Sequence, residues 1–278
     1  MKTLANKVVV ITGAGSGIGR ALALSAKERG ATIALCDWNG DAVAETLRMT
    51  GGRGIATRVD VRSEDEVASF AAQVEKELGP AHVVVNNAGV SLSDTVGSMT
   101  RTDFEWLFDI NFWGVVRGTE LFLPQLSRQD DAHIVNISSV FGLIAVPSQS
   151  AYNASKFAVR GYTEALRQEL EGTHVHVTCV HPGGVRTNIV RHGRHNVSSR
   201  GDKVTTETVS AEFDKVVRTT PEAAAGIIWR GVLANDPRVL VGADARLMDL
   251  TQRLFPKRYP QIFNALRSVF ERATGARM

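Results

Sequence analysis

Tyr152 and Lys156 stand at i and i+4 in Tyr152-Asn153-Ala154-Ser155-Lys156, which on a helix puts a phenol and an ammonium on one face. A free tyrosine titrates near 10, too high for a base at neutral pH. A neighbouring ammonium favours the phenolate, and the pair could then exchange a proton with a substrate. The spacing alone is weak, because an interfacial Tyr beside a surface Lys produces it too. Other residues strengthen it. Ser139 closes the β-branched run 133–138, Asn86-Asn87-Ala88-Gly89 closes another, and Asn111 follows a helical stretch. Pro182-Gly183-Gly184-Val185-Arg186-Thr187 ends a third run. Open α/β sheets gather ligands at the carboxyl edge of their strands, and these residues share that edge.

A second constellation opens the chain. Val-Val-Val-Ile at 8–11 runs into Thr12-Gly13-Ala14-Gly15-Ser16-Gly17-Ile18-Gly19, a buried strand, a glycine turn and a helix start. Missing side chains let a pyrophosphate approach the backbone, and the helix N-terminus offers N–H donors. Ile18 occupies the place of the third glycine in the strict G-x-G-x-x-G fingerprint, so the pattern is Thr12-Gly13-x-x-x-Gly17-x-Gly19. An acid about twenty residues on should close the second strand and accept from the ribose hydroxyls, and Asp37 does so. Its charge repels a ribose phosphate, while Ser16 and Trp38 supply no cation to hold one. NAD is therefore expected, with NADP less favoured. Arg20 could swing over a phosphate, but its helical phase directs it to solvent or an acidic neighbour.

The elements that must position these residues follow from periodicity. Apolar runs at 7–11, 32–36, 54–59, 82–86, 133–138 and 175–180 alternate with helical stretches such as 18–29 and 64–78. That alternation predicts an α/β fold, a doubly wound parallel sheet of Rossmann type with helices on both faces. A single domain over 1–278 is expected. Residues 186–215 read as a polar, irregular lid bearing Arg186, Arg191, Arg194, Arg200 and Lys203. A last helix (221–234) and strand (238–241) precede a basic helical extension at 243–278, where Ile262, Leu266, Val269 and Phe270 share a face. That face is expected to dock on the body or another subunit rather than on a membrane surface.

Composition sets outer limits. The 278 residues are 44% hydrophobic and 22% charged, which excludes global disorder. Lys plus Arg number 32 against 29 Asp plus Glu, a surplus too thin to argue for nucleic acid. Cys36 and Cys179 lie in apolar runs and read as small hydrophobes in a reducing compartment. No apolar run approaches the eighteen or so residues of a membrane span, and a cytoplasmic protein is expected. The His174/His176 and His192/His195 pairs lack partners at ligand spacing, so no metal is expected.

Taken together, Thr12-Gly13-x-x-x-Gly17-x-Gly19, Asn86-Asn87-Ala88-Gly89, Asn111, Ser139, Tyr152-x-x-x-Lys156 and Pro182-Gly183 resemble the short-chain dehydrogenase/reductase family in its short single-domain form. The likeness extends over roughly residues 7–187. It implies Tyr152 as general acid/base, with Lys156 holding the nicotinamide ribose and lowering the Tyr152 pKa. It implies Ser139 on the substrate oxygen, and Asn111 steadying a water that links Lys156 to solvent. Gly13, Ser16, Gly17, Ile18, Gly19, Asp37 and Trp38 would hold the cofactor, with Asp60 and Val61 beside the adenine. Asn87, Ala88, Gly89, Pro182 and Gly183 would complete that cradle, and Val185 and Thr187 would meet the carboxamide. Ser139, Phe141, Val146, Gln149, Tyr152, Gly184 and Ile189 would line a pocket for a mainly apolar alcohol, ketone or aldehyde. A homodimer or homotetramer is implied, paired through the helices carrying Asn111 and Tyr152. Two rival readings are a non-catalytic NAD(H)-binding redox sensor and a membrane-associated reductase of lipid-like carbonyls. An intact proton-transfer set disfavours the sensor.

Overall fold

The computed structural model describes residues 1–197 and 202–274. Its strands are β1 (Val8–Thr12), β2 (Thr32–Asp37), β3 (Gly54–Arg58), β4 (Val83–Asn86), β5 (Leu92–Ser93), β6 (Ala132–Ile137), β7 (Val175–Pro182), β8 (Arg194–His195) and β9 (Arg238–Val241). Helices α1 (Gly17–Glu28), α2 (Gly40–Met49), α3 (Glu64–Leu78), α4 (Arg101–Phe108) and α5 (Gly114–Leu126) fall in the first half. Helices α6 (Ser150–Glu169), α7 (Thr206–Val216), α8 (Pro221–Leu233), α9 (Ala243–Leu254) and α10 (Tyr259–Thr274) follow.

Seven strands make one parallel sheet in the order β3-β2-β1-β4-β6-β7-β9. This is the doubly wound sheet that strand–helix alternation predicts. Side chains alternate across it. Val9, Ile11, Ile33, Leu35, Val83 and Val85 pack on one face against Leu22 of α1 and Ile228 and Trp229 of α8. Val8, Val10, Ala34, Cys36 and Val84 pack on the other against Phe70 and Val74 of α3 and Phe122 of α5. Both faces are covered, so β1 is buried at every position and the central strands are mainly apolar. Burying each large aliphatic or aromatic side chain contributes about 1.5–3 kcal/mol. The strand order reverses between β1 and β4, and a crevice opens beyond their carboxyl ends.

Three features depart from the periodic reading. Residues 186–215 are not irregular throughout, because they contain β8 and most of α7. The helix starts where Thr205 Oγ1 accepts the Thr208 N–H, and it turns Val209 and Phe213 inward at i and i+4. Strand β8 pairs in parallel with β5 in a separate two-stranded sheet, a tertiary pairing that two residues cannot announce. Arg200 lies outside the described residues. Finally, the stretch joining α4 to α5 is wound as a π-helix over Asp109–Trp113, with Asn111 at its centre.

In the C-terminal extension, Met248, Tyr259 and Phe263 pack on Val140, Ile144 and Ala245. Ile262 is half-buried and Leu266 is exposed, while the side chains of Val269 and Phe270 lie outside those described. Among the described residues no helix is long and apolar enough to cross a membrane.

Candidate active site

The glycine turn is built by close approach. Gly13 and Gly17 adopt φ +64° and +52°, which favour glycine. A Cβ on Gly19 would overlap the Gly13 carbonyl oxygen, so this glycine presses α1 onto the turn rather than lining the crevice. Asn87 braces the same turn, donating from Nδ2 to the carbonyls of Thr12 and Gly13 at 2.9 and 3.0 Å. Thr12 Oγ1 accepts the N–H groups of Asn87 and Ala88, each at 3.0 Å. At the start of α1, Ser16 makes no side-chain cap and the first turn carries no acid. Its open N–H groups and positive dipole end are left beside Ser16, Gly17 and Ile18 in the cavity wall. A pyrophosphate fits that cradle.

Asp37, at the end of β2, faces the turn. Its Oδ2 accepts the Gly15 N–H and its Oδ1 the Asn39 N–H, both at 2.9 Å. Each oxygen keeps further acceptor capacity toward a ribose. Arg20 points elsewhere. It donates to the Gly15 carbonyl at 2.6 Å, Thr46 Oγ1 at 3.0 Å and Glu45 Oε2 at 3.1 Å. The acidic neighbour anticipated from its helical phase is Glu45. Asp60 is gripped by Arg62 at 2.6 Å, and that hydrogen bond holds its carboxyl below the usual range.

Tyr152, Lys156 and Ser139 meet where β6 and α6 converge. All three are buried. Lys156 donates from Nζ to the Ile137 carbonyl at 3.0 Å and lies 5.7 Å from the centre of the Tyr152 ring. Burial lowers the Lys156 ammonium to about 8. Burial also drives the Tyr152 phenol up, to about 12, and a hydrogen bond with Ser139 pulls the other way. In the protein alone desolvation dominates the Tyr152 phenol, and the lowering expected from Lys156 does not accompany it. Behind Ser139, His181 contacts the Ser139 carbonyl through Nδ1 at 3.0 Å. A carbonyl only accepts, so Nδ1 carries the proton, and burial keeps the ring neutral by lowering it to about 4.

Asn111 is wholly buried and does not line the cavity. Its Oδ1 accepts the Val90 N–H at 2.8 Å, and its Nδ2 donates to the Val90 carbonyl at 3.0 Å and to Ser155 Oγ at 3.3 Å. Both amide hydrogens are engaged, so the side chain has no donor left for a relay water. It pins the chain after β4. Val146 also lies off the cavity, packed beside Val140 and Ile144 near α9 and α10.

The remaining residues read from the sequence come together around one cavity of about 810 Å³ at the carboxyl edge of the sheet. Gly13, Ser16, Gly17, Ile18, Asp37, Trp38, Asp60, Val61, Asn87, Ala88 and Gly89 line it from the first half of the chain. Ser139, Phe141, Gln149, Tyr152, Lys156, Pro182, Gly183, Gly184, Val185, Thr187 and Ile189 line it from the second half. Several wall residues escape a sequence reading. Gly15, inside the glycine run, is legible in principle as the partner of Asp37. Val90, Val209, Phe213, Val217 and Met248 give apolar wall, and no periodic pattern points them at this space. Gln149 donates to Ser93 Oγ at 3.2 Å, Ser93 meets His195 Nδ1 at 3.0 Å, and His195 Nε2 meets the Val190 carbonyl at 2.7 Å. Since Nε2 must donate to that carbonyl, Nδ1 accepts from Ser93, and the polar chain runs one way. No group of three or more metal-ligating side chains forms among the described residues.

Comparison with known proteins agrees with this geometry. The model of the family described as short chain dehydrogenase matches residues 7–198. A Mycobacterium tuberculosis protein designated oxidoreductase SadH is 45% identical over 271 residues, covering 95% of this chain and 96% of its own. Rat estradiol 17-beta-dehydrogenase 11 is 29% identical over 264 residues, covering 93% and 83%. The crystal structure of a short chain dehydrogenase/reductase from Burkholderia phymatum in complex with NAD superposes with a TM-score of 0.81 at 30% identity, covering 91% of this chain and 96% of that one.

Proposed function

The chain belongs to the short-chain dehydrogenase family of oxidoreductases, and from that premise we propose that it moves a hydride between NAD and a mainly apolar alcohol or its ketone or aldehyde. The observation that carries the reading is the meeting of Tyr152, Lys156 and Ser139 in the wall of the cavity that Asp37 and the glycine turn also line.

When bound, the nicotinamide dinucleotide accepts hydride in oxidation and supplies it in reduction, and its oxidised ring brings a positive charge into the cavity. Ser139 hydrogen-bonds the substrate oxygen. Tyr152 takes the hydroxyl proton at Oη during oxidation and returns it during reduction. Lys156, held by the Ile137 carbonyl, holds the nicotinamide ribose and adds charge that favours the phenolate. Asn111 is a positioning residue acting through Val90. Asp37 accepts from the adenosine ribose hydroxyls, and the engagement of Arg20 by Glu45 supports NAD over NADP. The apolar walls from Phe141, Ile189, Phe213 and Met248 support an apolar substrate, as does the estradiol in the name of the rat relative. Pairing of subunits through α4–α6 is supported by Trp113 and Phe157, which stand exposed there.

The test is reduced-nicotinamide absorbance with NAD or NADP and a panel of secondary alcohols, using wild type and Tyr152→Phe. NAD-dependent turnover that vanishes in the variant supports the reading. Turnover favouring NADP would overturn the role given to Asp37, and equal turnover by the variant would overturn that of Tyr152.

A further inference from the structure

The outer face of α9 stands in solvent. Leu247, Leu250 and Leu254 follow at i, i+3 and i+7, which makes one stripe, and are 56%, 54% and 62% exposed. Phe255 beside them is 49% exposed. Apolar side chains gathered this way mark a surface that meets something.

The charges around the stripe say what it meets. Arg246 and Arg253, also at i and i+7, run along its edge, and Lys257 and Arg258 continue past the helix end, all exposed. The two acids of the helix turn inward. Asp249 is buried against Arg238 at 2.7 Å, and also takes Arg253 at 3.1 Å. Asp244 accepts the Gly184 N–H at 2.6 Å. The outward charge of residues 246–258 is therefore positive. Two copies pairing this face about a two-fold axis would bring eight like charges together, within about a Debye length. An anionic bilayer instead offers acyl chains for the leucines and phosphates for the cations.

We propose that α9 and the adjoining residues 255–258 dock the protein on an anionic lipid bilayer. Met248, on the opposite face of this helix, lines the cavity. Docking thus sets the cavity wall roughly one helix diameter, ~10 Å, from the lipid. Sequence periodicity points to the α10 face and to docking on protein. The exposed stripe of α9 shifts the surface to the preceding helix and its occupant to lipid.

The test is co-sedimentation of the full chain with phosphatidylcholine vesicles with and without phosphatidylglycerol, read as bound protein and independent of turnover. Wild type should bind the anionic vesicles at least tenfold more strongly than the neutral ones. Leu250→Asp/Leu254→Asp and, separately, Arg246→Glu/Lys257→Glu should each lose at least tenfold, with melting curves showing both folded. Wild type that ignores anionic vesicles, or variants that bind undiminished, would overturn the proposal. So would a smaller assembly of the leucine variant in lipid-free velocity sedimentation, which would assign the stripe to a second copy.

Discussion

The Asp244 carboxylate accepts the Gly184 N–H at 2.6 Å, joining the first turn of α9 to the loop that ends β7. The fit is close, because a Cβ on Gly183 or on Gly242 would overlap that carboxylate. Gly183, Gly184 and Val185 line the cavity, so a residue outside the family match holds part of its wall. A hydrogen bond to a charged group contributes about 1.5–3 kcal/mol. Asp244→Ala should raise the KM for NAD about tenfold with a smaller change in kcat, and Asp244→Asn should recover part of it. Initial-rate kinetics at varied NAD checks this.

Asp37 should decide between the two dinucleotides. Asp37→Ala removes the acceptor for the ribose hydroxyls and the partner of the Gly15 N–H, and the KM for NAD should rise tenfold or more. Asp37→Arg should reverse the preference toward NADP. The ratio of kcat/KM for the two cofactors is the measurement.

Lys156 is a buried cation whose pKa falls from 10.5 to about 8. The unfolded chain therefore binds more protons between pH 8 and 10.5, and stability should rise with pH across that window. Below about pH 8 the folded protein carries the full cost of the buried charge, on the order of 3 kcal/mol. Losing the bond to the Ile137 carbonyl offsets part of any gain from removing it. Lys156→Met should thus be more stable at pH 7 by about 1–2 kcal/mol, lack the alkaline rise, and turn over far more slowly. Urea denaturation at several pH values reads the first two.

In the mechanism proposed above, alcohol oxidation uses Tyr152 as phenolate, so its rate should rise with pH through one ionisation, whereas carbonyl reduction uses the phenol and should fall. Burial, against the opposing hydrogen bond with Ser139, sets Tyr152 at about 12 in the protein alone. The limb in the cofactor complex should lie lower, and Lys156→Met should move it upward. A kcat–pH profile in each direction tests both signs.

Arg194 fastens the segment after β7. Its guanidinium lies 3.8 Å from the centre of the Trp106 ring and pairs with Asp103 at 2.6 Å. The stacking and the exposed pair contribute about 1 kcal/mol together. We propose that residues 186–215 act as a lid over this anchor. Arg194→Ala should raise the KM for substrate severalfold, leave that for NAD unchanged, and speed proteolytic cleavage within 186–205.

Residues whose neighbours in sequence are also their neighbours in the site are legible from the chain alone. Tyr152 and Lys156 share one helical turn, Gly13 to Gly19 make one bend, and Asp37 terminates an apolar run. What escapes depends on distant pairings. Strand β8 is two residues long and exists because β5 lies beside it. Asp244 and Met248 reach the cavity because the C-terminal helices pack on Val140 and Ile144. Asn111 stands out in the sequence but its partner Val90 does not, so the side chain's engagement emerges only in three dimensions. The Tyr152 pKa departs from expectation for a related reason, since sequence spacing reports a neighbouring charge and not the depth of burial.

The π-wound turn at Asp109–Trp113 makes chain length itself a determinant of this site. Such a turn holds one residue more than α winding would. Deleting a neighbour of Asn111 there would return the stretch to α winding with its flanks still in phase, and would turn Asn111 itself off its heading. The amide clasp of Asn111 on Val90 sits within that seam and would be the contact to break, while the platform that Trp106 offers Arg194 lies on the flank before it. Descendants of this gene could thus keep every motif residue and still be disabled by a three-nucleotide deletion, a lesion invisible to any inspection of residue identities alone.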